Sequence, residues 1–276
     1  MNAFAQQCIS LRKRDYSLLD IVRITGRPKA SVYPYIKNIP LSEKKLEAIR
    51  KKNNAHLQKV AASRRGKSGR NFKKFSAWTE NMALLVSHLT FDGEISRSTC
   101  SYNNRNRTLL QRVEQLMKEI YIFEPNRYEN KLTGVHRISY HNVALASYLK
   151  EKSKKLLEEA PRLASGPKRE ILRAFFDDEG CMDFRPLRNL RQIRGYQKDT
   201  RVLHTISSLL SDFEIKSSVQ KPNEVVISGK ENLLKFKKEI NFSPGVFING
   251  NRTNSSWKKH LEKRELLNMA IASFKK

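Results

Sequence analysis

Two carboxylic acids, each followed at once by glycine, close two short and mostly apolar stretches of this 276-residue chain. The first stretch ends in Asp92-Gly93 and the second in Glu179-Gly180, a domain-sized distance further along. Metal-dependent hydrolysis of a phosphodiester requires carboxylates that converge on one phosphate. Because the pattern of an apolar helix ending in an acid occurs twice, each copy can supply one carboxylate to a shared site.

Both stretches resemble the sequence motif of the LAGLIDADG family, which is best known for homing endonucleases. In each copy the matching positions are a leucine, a small residue, the acid and the glycine. These positions are Leu85, Ser87, Asp92 and Gly93 in the first copy and Leu172, Ala174, Glu179 and Gly180 in the second. The resemblance implies that Asp92 and Glu179 are the catalytic acids and that they bind a divalent metal ion, Mg²⁺ or Mn²⁺.

Two residues depart from the family pattern where the two motif helices are expected to touch. Phe91 and Asp178 stand at positions that usually hold a small residue. The resemblance still places both at the helix interface, together with the small residues Ser87 and Ala174. The size of the two larger side chains bears on how closely the helices approach, and therefore on the spacing of the two acids.

The segments behind the two motifs indicate an internal duplication. Apolar periodicity predicts the element order αββαββα in both halves. In the first half it predicts strands at 120–123 and 135–140 and a helix at 142–152. In the second half the corresponding strands are predicted to start near Ile215 and Val225.

The element order predicts an α+β fold built from pseudo-symmetric tandem LAGLIDADG halves. We expect the first half at 76–160 and the second at 161–276, the latter with an amphipathic C-terminal helix. The resemblance implies a saddle-shaped β surface that sits on double-stranded DNA. It also implies that one chain spans the DNA as a monomer with internal pseudo-twofold symmetry.

Charge agrees with a nucleic-acid partner. The chain has 54 Lys and Arg against 27 Asp and Glu, a formal net charge of +27. Such a field attracts polyanions and gives salt-dependent binding through counterion release. A ribosome-associated or merely basic protein would show the same charge. No apolar run approaches the ~20 residues that cross a bilayer, and three scattered cysteines are typical of the reducing cytoplasm.

Residues 1–47 are predicted to form a separate helix-turn-helix module. Apolar residues at helical spacing in 16–24 precede the turn Thr25-Gly26, and Pro28 is well placed to open a second helix. Four side chains of the second helix could reach DNA: Lys29, Ser31, Tyr33 and Lys37. A small helical protein-interaction domain is the alternative.

The second helix of this module contains a proline. Pro34 removes a hydrogen bond and crowds the carbonyl of Ala30, at a cost of ~3 kcal/mol in a helix interior. We therefore expect a short or kinked helix, with Val32 and Ile36 facing the core. Residues 48–75 follow, rich in Lys and Arg and without an acid. This segment is predicted to be a basic linker that lies along phosphates when DNA is bound.

Further arginines follow the second motif. Four of them lie at regular spacing: Arg185, Arg188, Arg191 and Arg194. The resemblance implies a β-hairpin here on the DNA-facing sheet, with its tip at Arg188-Asn189. Because a spacing of three alternates faces in a strand, all four can face DNA only if a turn intervenes. Arg97 is a candidate of the same kind in the first half.

The leading hypothesis is a site-specific DNA endonuclease that hydrolyses phosphodiester bonds with Mg²⁺ or Mn²⁺. One alternative is a transcription regulator that keeps the fold and has lost cleavage, since a sporulation-regulator family pairs a LAGLIDADG-like domain with a helix-turn-helix. Retention of both acids favours the enzyme, whereas Phe91 and the N-terminal module favour the regulator. An RNA maturase or RNA endonuclease would share the fold and the charge.

Overall fold

The computed structural model describes residues 2–64, 72–248, 257 and 260–274. The chain divides into two compact units, Met1–Ser68 and Gly69–Lys276, and each is described by itself. In the described part of the chain no helix is both long and apolar enough to cross a membrane.

The first unit is helical. Its helices are α1 (Ala3–Lys13), α2 (Leu18–Thr25), α3 (Lys29–Ile36) and α4 (Glu43–Arg64). Ser17 and Asp20 form a capping box at the start of α2, and Gly26 ends this helix with a φ of 64°. A small core joins the first three helices through Cys8, Leu11, Ile21, Val32 and Ile36.

The helix α3 has eight residues and contains Pro34, so it is as short as the sequence predicts. Val32 and Ile36 are buried as expected. The predicted linker 48–75 differs from the structure at both ends, because its first part is helical as far as Arg64. Residues 65–71 lie outside the described part of the chain.

The last residues of the predicted linker belong to the second unit. The backbone N–H of Phe75 donates to the Tyr148 hydroxyl at 2.9 Å, and the Phe72 ring meets the Tyr121 ring edge-on at 5.7 Å. Aromatic burial of this kind favours an ordered segment over a solvated tether. The basic segment is therefore shorter than its composition predicts.

The second unit contains two halves with the same element order. The first half has α5 (Glu80–Phe91), β1 (Gly93–Ile95), β2 (Thr99–Asn104), α6 (Arg107–Tyr121), β3 (Asn126–Asn130), β4 (Val135–His141) and α7 (Val143–Glu159). The second half has α8 (Ser165–Asp178), β5 (Gly180–Arg185), β6 (Leu190–Tyr196), α9 (Thr200–Ser211), β7 (Ser218–Gln220), β8 (Glu224–Ser228) and α10 (Lys230–Glu239). The helix α11 (Lys263–Ala272) follows the second half.

The two antiparallel sheets have matching topologies, β1-β2-β4-β3 and β5-β6-β8-β7. One face of each sheet packs against helices, and a single apolar core runs through both halves. The predicted α+β class and the order αββαββα are confirmed. The duplicated order gives the unit its internal pseudo-symmetry.

Two strand predictions were placed too early in the chain. The strand predicted at 120–123 is wrong, because α6 continues to Tyr121 and β3 begins only at Asn126. Leu116, Met117 and Tyr121 continue the apolar stripe of α6 into the core, and this burial outweighs the β propensity of the segment. In the second half Ile215 is buried in the loop before β7, which starts at Ser218.

The glycine of each motif is required by a close approach between strand and helix. A Cβ atom on Gly93 would lie 2.5 Å from the Leu89 carbonyl oxygen, and one on Gly180 would lie 2.5 Å from the Phe176 carbonyl oxygen. Both oxygens are backbone atoms of the preceding helix and cannot rotate away. Each strand can therefore leave its helix directly after the acid only because glycine follows.

We predict that Gly180→Ala destabilises the protein by about 1–3 kcal/mol, because the added methyl group overpacks the junction of α8 and β5. Chemical denaturation of the variant and the wild type measures this difference. Gly134→Asn is the matched control, since Gly134 has open space around it and a φ of 66° that asparagine tolerates. An unchanged midpoint for Gly180→Ala would contradict the packing argument.

Candidate functional site

The two predicted catalytic acids occupy equivalent places at the ends of two packed helices. Asp92 directly follows α5 and Glu179 directly follows α8. The backbone N–H of Asp92 donates to the His88 carbonyl at 3.1 Å, and that of Glu179 donates to the Phe175 carbonyl at 2.8 Å. Each acid is thus attached to the last turn of its helix.

The C-terminal ends of α5 and α8 touch through large side chains. The Phe91 ring meets the Phe175 ring edge-on, with centroids 5.2 Å apart. His88 Nδ1 and Asp178 Oδ2 are 2.9 Å apart, and both side chains are fully buried. Ser87 and Ala174 are also buried. At this point the helices are joined by an aromatic contact and a hydrogen bond where the family pattern has small residues.

A hydrogen-bonded chain of side chains leads from α8 to Asp92. The Tyr102 hydroxyl of β2 donates to Asp178 Oδ1 at 2.5 Å. Asn104 Nδ2, on the same strand, donates to the Tyr102 hydroxyl oxygen at 3.2 Å and to Asp92 Oδ2 at 2.7 Å. The chain orients the Asp92 carboxylate. Tyr102 and Asn104 were not among the predicted site residues. In the sequence, their only distinguishing feature is that Asn104 ends a strand and Tyr102 lies two residues before it.

Both predicted catalytic acids have raised pKa values. Burial, with the charges of Asp178 and Glu179, raises the pKa of Asp92 to about 7. Burial, with the charge of Asp178, raises the pKa of Glu179 to about 7, although the Lys263 ammonium opposes the shift. A bound cation would attract these carboxylates and lower their pKa values. Carboxylates held together at such a cost are typical of functional sites.

The donor set fits a hard divalent cation. Asp92 and Glu179 offer carboxylate oxygens, which Mg²⁺ and Mn²⁺ prefer. Among the described residues no group of three or more His, Cys, Asp or Glu is arranged to hold a metal ion. Asp178 is engaged by His88 and Tyr102, so the protein supplies two carboxylates here. Mg²⁺ sites of this kind are completed by water and substrate oxygens.

The arginines of the second hairpin differ in their surroundings. Arg185 binds both carboxylate oxygens of Asp183, at 2.7 and 3.1 Å. Arg194 lies on the same outer face of the sheet and contacts Asp183 and Glu224. Both guanidinium groups are therefore neutralised within the outer face, although each remains about one-third exposed.

Arg191 lies on the opposite face of β6. Its guanidinium donates to the Ser273 hydroxyl and carbonyl and lies 4.8 Å from the centre of the Phe274 ring. Arg191, a candidate DNA contact in the sequence, instead pairs with Phe184 in the register and holds the C-terminal segment. Arg188 is exposed at the hairpin tip, as predicted, where Asn189 adopts a φ of 52°.

The remaining candidate DNA contacts are accessible. Arg97 is exposed in the turn between β1 and β2. In the first unit the four side chains singled out on and beside α3 all face solvent: Lys29, Ser31, Tyr33 and Lys37. Tyr33 is 55% exposed, which is unusual for a large aromatic side chain.

The comparisons with known proteins match part of the chain to a family model. Residues 166–241 match the family model of the LAGLIDADG-like domain. The chain therefore carries a LAGLIDADG-like domain, as the duplicated motif implied. No match is found among the curated proteins.

Solved structures with a similar fold include I-DmoI in complex with DNA and Mn, at 14% identity and a TM-score of 0.45, covering 58% of this chain and 96% of that one. The N-terminal LAGLIDADG domain of DUF199/WhiA matches at 16% identity and 0.47, covering 62% and 88%. Full-length DUF199/WhiA from Thermotoga maritima matches at 14% and 0.48, covering 74% and 63%. Likenesses this distant carry no information about activity.

We predict that Asp92→Asn stabilises the metal-free protein on the order of 1 kcal/mol at about pH 8. The raised pKa of Asp92 means that the folded state binds a proton more readily than the unfolded state, so stability is lost as pH rises from about 4 to about 7. The gain should therefore vanish near pH 4. Thermal melts in EDTA at both pH values measure it.

Glu129→Gln is the control for this prediction, because Glu129 is an exposed carboxylate of β3. Its stability should stay within ~0.5 kcal/mol of the wild type. A metal-free Asp92→Asn protein that is less stable than the wild type at about pH 8 would show that the Asn104 hydrogen bond outweighs the cost of burying the Asp92 charge beside other carboxylates.

Proposed function

We propose that this protein is a site-specific endonuclease of the LAGLIDADG type that hydrolyses double-stranded DNA with a divalent metal ion, Mg²⁺ or Mn²⁺. The observation that carries the proposal is the pair Asp92 and Glu179, which close two packed helices and whose pKa values are both raised to about 7 by burial and by neighbouring carboxylates. Neutral side chains would be more stable there. The retained acids are best explained by a positively charged ligand.

The residues at this site have different roles. Asp92 and Glu179 would hold the cations, and Asn104 orients the Asp92 carboxylate through its 2.7 Å hydrogen bond. Bound divalent ions supply the charge that activates a water molecule and stabilises the leaving oxygen. The duplicated halves bring one acid to each strand of the duplex. One chain can therefore act as a monomer.

DNA is the substrate class that the charge favours. A net charge of +27 concentrates a polyanion near the protein. Arg97 and Arg188 stand exposed on hairpin turns of the two sheets and would contact phosphates or base edges. The free cysteines Cys8, Cys100 and Cys181 fit a reducing cytoplasm, where such a substrate is found.

The first unit supports a second DNA contact. Two helices joined by a short glycine turn, with exposed polar side chains on the second, have the arrangement of a helix-turn-helix. This unit also favours the competing function, a regulator that binds DNA without cutting it. The large residues Phe91 and Asp178 between the motif helices favour it as well.

We predict that Asp92→Asn and Glu179→Gln each abolish cleavage while leaving DNA binding intact or tighter. Each change removes one negative charge that faces phosphates but keeps the shape of the side chain. The measurement is a nicking assay on a duplex library with Mg²⁺ or Mn²⁺, beside a gel shift on the same DNA. RNA of matched sequence serves as competitor.

Three outcomes separate the functions. Wild type that binds one site tightly and cuts it with neither metal would overturn the endonuclease and support the regulator. RNA that outcompetes duplex DNA would support the maturase. Cleavage that survives both substitutions would mean that other residues hold the metal ions. Glu129→Gln is the matched control and should cut like the wild type.

We predict that replacing both Lys29 and Lys37 by alanine weakens binding to all duplexes and lowers the salt slope by about 2. The reason is that each lysine contacts one phosphate. Salt titrations of the Kd measure the slope. The control removes two ion-paired lysines of the second unit, Lys118 and Lys155, and so the same net charge. Equal slopes for the two double variants would contradict the assignment.

A further inference from the structure

A buried lysine from the C-terminal helix lies beside Glu179. Lys263 is the first residue of α11, and only 6% of it is exposed. Its ammonium donates to three backbone carbonyl oxygens, those of Phe176 at 3.1 Å, Asp177 at 2.6 Å and Gly180 at 2.6 Å. Two of these carbonyls belong to residues three and two positions before the acid, and the third belongs to the residue directly after it.

The three contacts use every donor of the ammonium group. Lysine has three N–H donors and no acceptor, so Lys263 has none left for a phosphate oxygen. Its charge instead serves the end of α8, where carbonyls without intrahelical partners and the negative end of the helix dipole coincide. Because the carbonyls of Asp177 and Gly180 share one donor group, the backbone of Glu179 is held from both sides.

The position of Lys263 is itself defined by local pairing. Its backbone N–H donates to the Val246 carbonyl at 2.8 Å, and the Ile248 N–H donates to the Leu261 carbonyl at 2.9 Å. The next turns of α11 bury Leu266 and Leu267 in the core. The side chain therefore enters the protein from a fixed point and passes the Phe242 ring at 5.6 Å.

A second contact from the same region holds the last turn of α8. The backbone N–H of Ser243 donates to Asp177 Oδ1 at 2.9 Å, and the Asp177 side chain is buried. Burial lowers the pKa of Lys263, and the nearby Asp177 carboxylate opposes this shift. The helix end that carries Glu179 is thus held by both the segment directly after α10 and α11 itself.

The first half is built differently. In the described part of the chain no side chain donates to the carbonyls of Leu89, Thr90 or Gly93, which correspond to those bound by Lys263. Asp92 is instead held through its carboxylate by Asn104. The two acids of a pseudo-symmetric pair are therefore positioned by different means, one through its side chain and the other through its backbone.

Packing alone does not require a lysine at this position. Burying an ammonium group costs several kcal/mol unless hydrogen bonds and charge offset it. Methionine would fill a similar volume without this cost. Methionine, however, cannot donate hydrogen bonds to three carbonyl oxygens. These hydrogen bonds from lysine are what hold the backbone around Glu179.

We propose that Lys263 is a positioning residue that holds Glu179, and not Asp92, in place for metal binding and cleavage. The expected effect of Lys263 on cleavage rests on the proposed function. The expected effect of Lys263 on the backbone around Glu179 does not depend on that function. The helix α11 lies beyond residues 166–241, the range that matches the family model, so Lys263 reaches Glu179 from outside this range.

The first experiment measures amide hydrogen exchange in the full chain without DNA or metal. Lys263→Gln should make the peptide 176–184 exchange about 10-fold faster, because hydrogen bonds to a charged group are lost. The equivalent peptide 89–97 of the first half should be unchanged. Lys263→Met is a second variant, and Lys237→Met, which removes an exposed lysine of α10, is the control.

The second experiment measures cleavage of a supercoiled plasmid that carries a selected site. Lys263→Gln should slow cleavage of one strand about 10-fold or more, because Glu179 is misplaced. Cleavage of the other strand should be nearly unaffected. Nicked circles should then accumulate, while wild type and Lys237→Met go on to linear product. Lys263→Arg, which keeps charge and donors, should restore part of the second cut.

The outcomes distinguish this inference from the proposed function. Unchanged exchange at 176–184, or equal acceleration at 89–97, would overturn the positioning role, whether or not the protein cuts DNA. Equal slowing of both strands would overturn it as well. Wild type that cuts nothing while exchange responds only at 176–184 would overturn the endonuclease and leave Lys263 as the residue that holds Glu179.

Discussion

The contact between the last turns of α5 and α8 is the interaction on which the rest of the second unit depends. Phe91 packs on Phe175, and His88 bonds to Asp178 across the helix pair. Both acids leave their helices one residue later, so any change in this contact moves them relative to each other. The two glycines then send the strands away at once, and each sheet is placed by the helix end before it.

This arrangement concentrates negative charge where little water can screen it. Burial and the nearby charge of Asp178 raise the pKa values of Asp92 and Glu179, and this opposes folding at neutral pH. The protein offsets part of the cost with neutral donors and with two buried bases. His88 binds Asp178, whose charge raises the pKa of this histidine despite its burial. Lys263 supplies the positive charge on the side of the second half.

The outer faces of the sheets are less basic than the composition suggests. Arg185 and Arg194 share Asp183, so a large part of their charge is neutralised within the sheet. These contacts are exchangeable, because the guanidinium groups remain partly exposed and a phosphate can compete for their donors. Arg97 and Arg188, in contrast, are exposed at hairpin turns.

Local patterns in the sequence were enough to define the duplicated motif, the element order and the burial of Val32 and Ile36, because periodicity reports which face of a helix or strand is apolar. Contacts between distant residues left no such local trace. Asn104 reaches Asp92 from the next strand, Arg191 turns to the C-terminal segment, and Lys263 crosses from α11 to the end of α8. In the sequence, a single charged residue predicts an exposed side chain. Only the tertiary structure shows that another element packs around it and buries it.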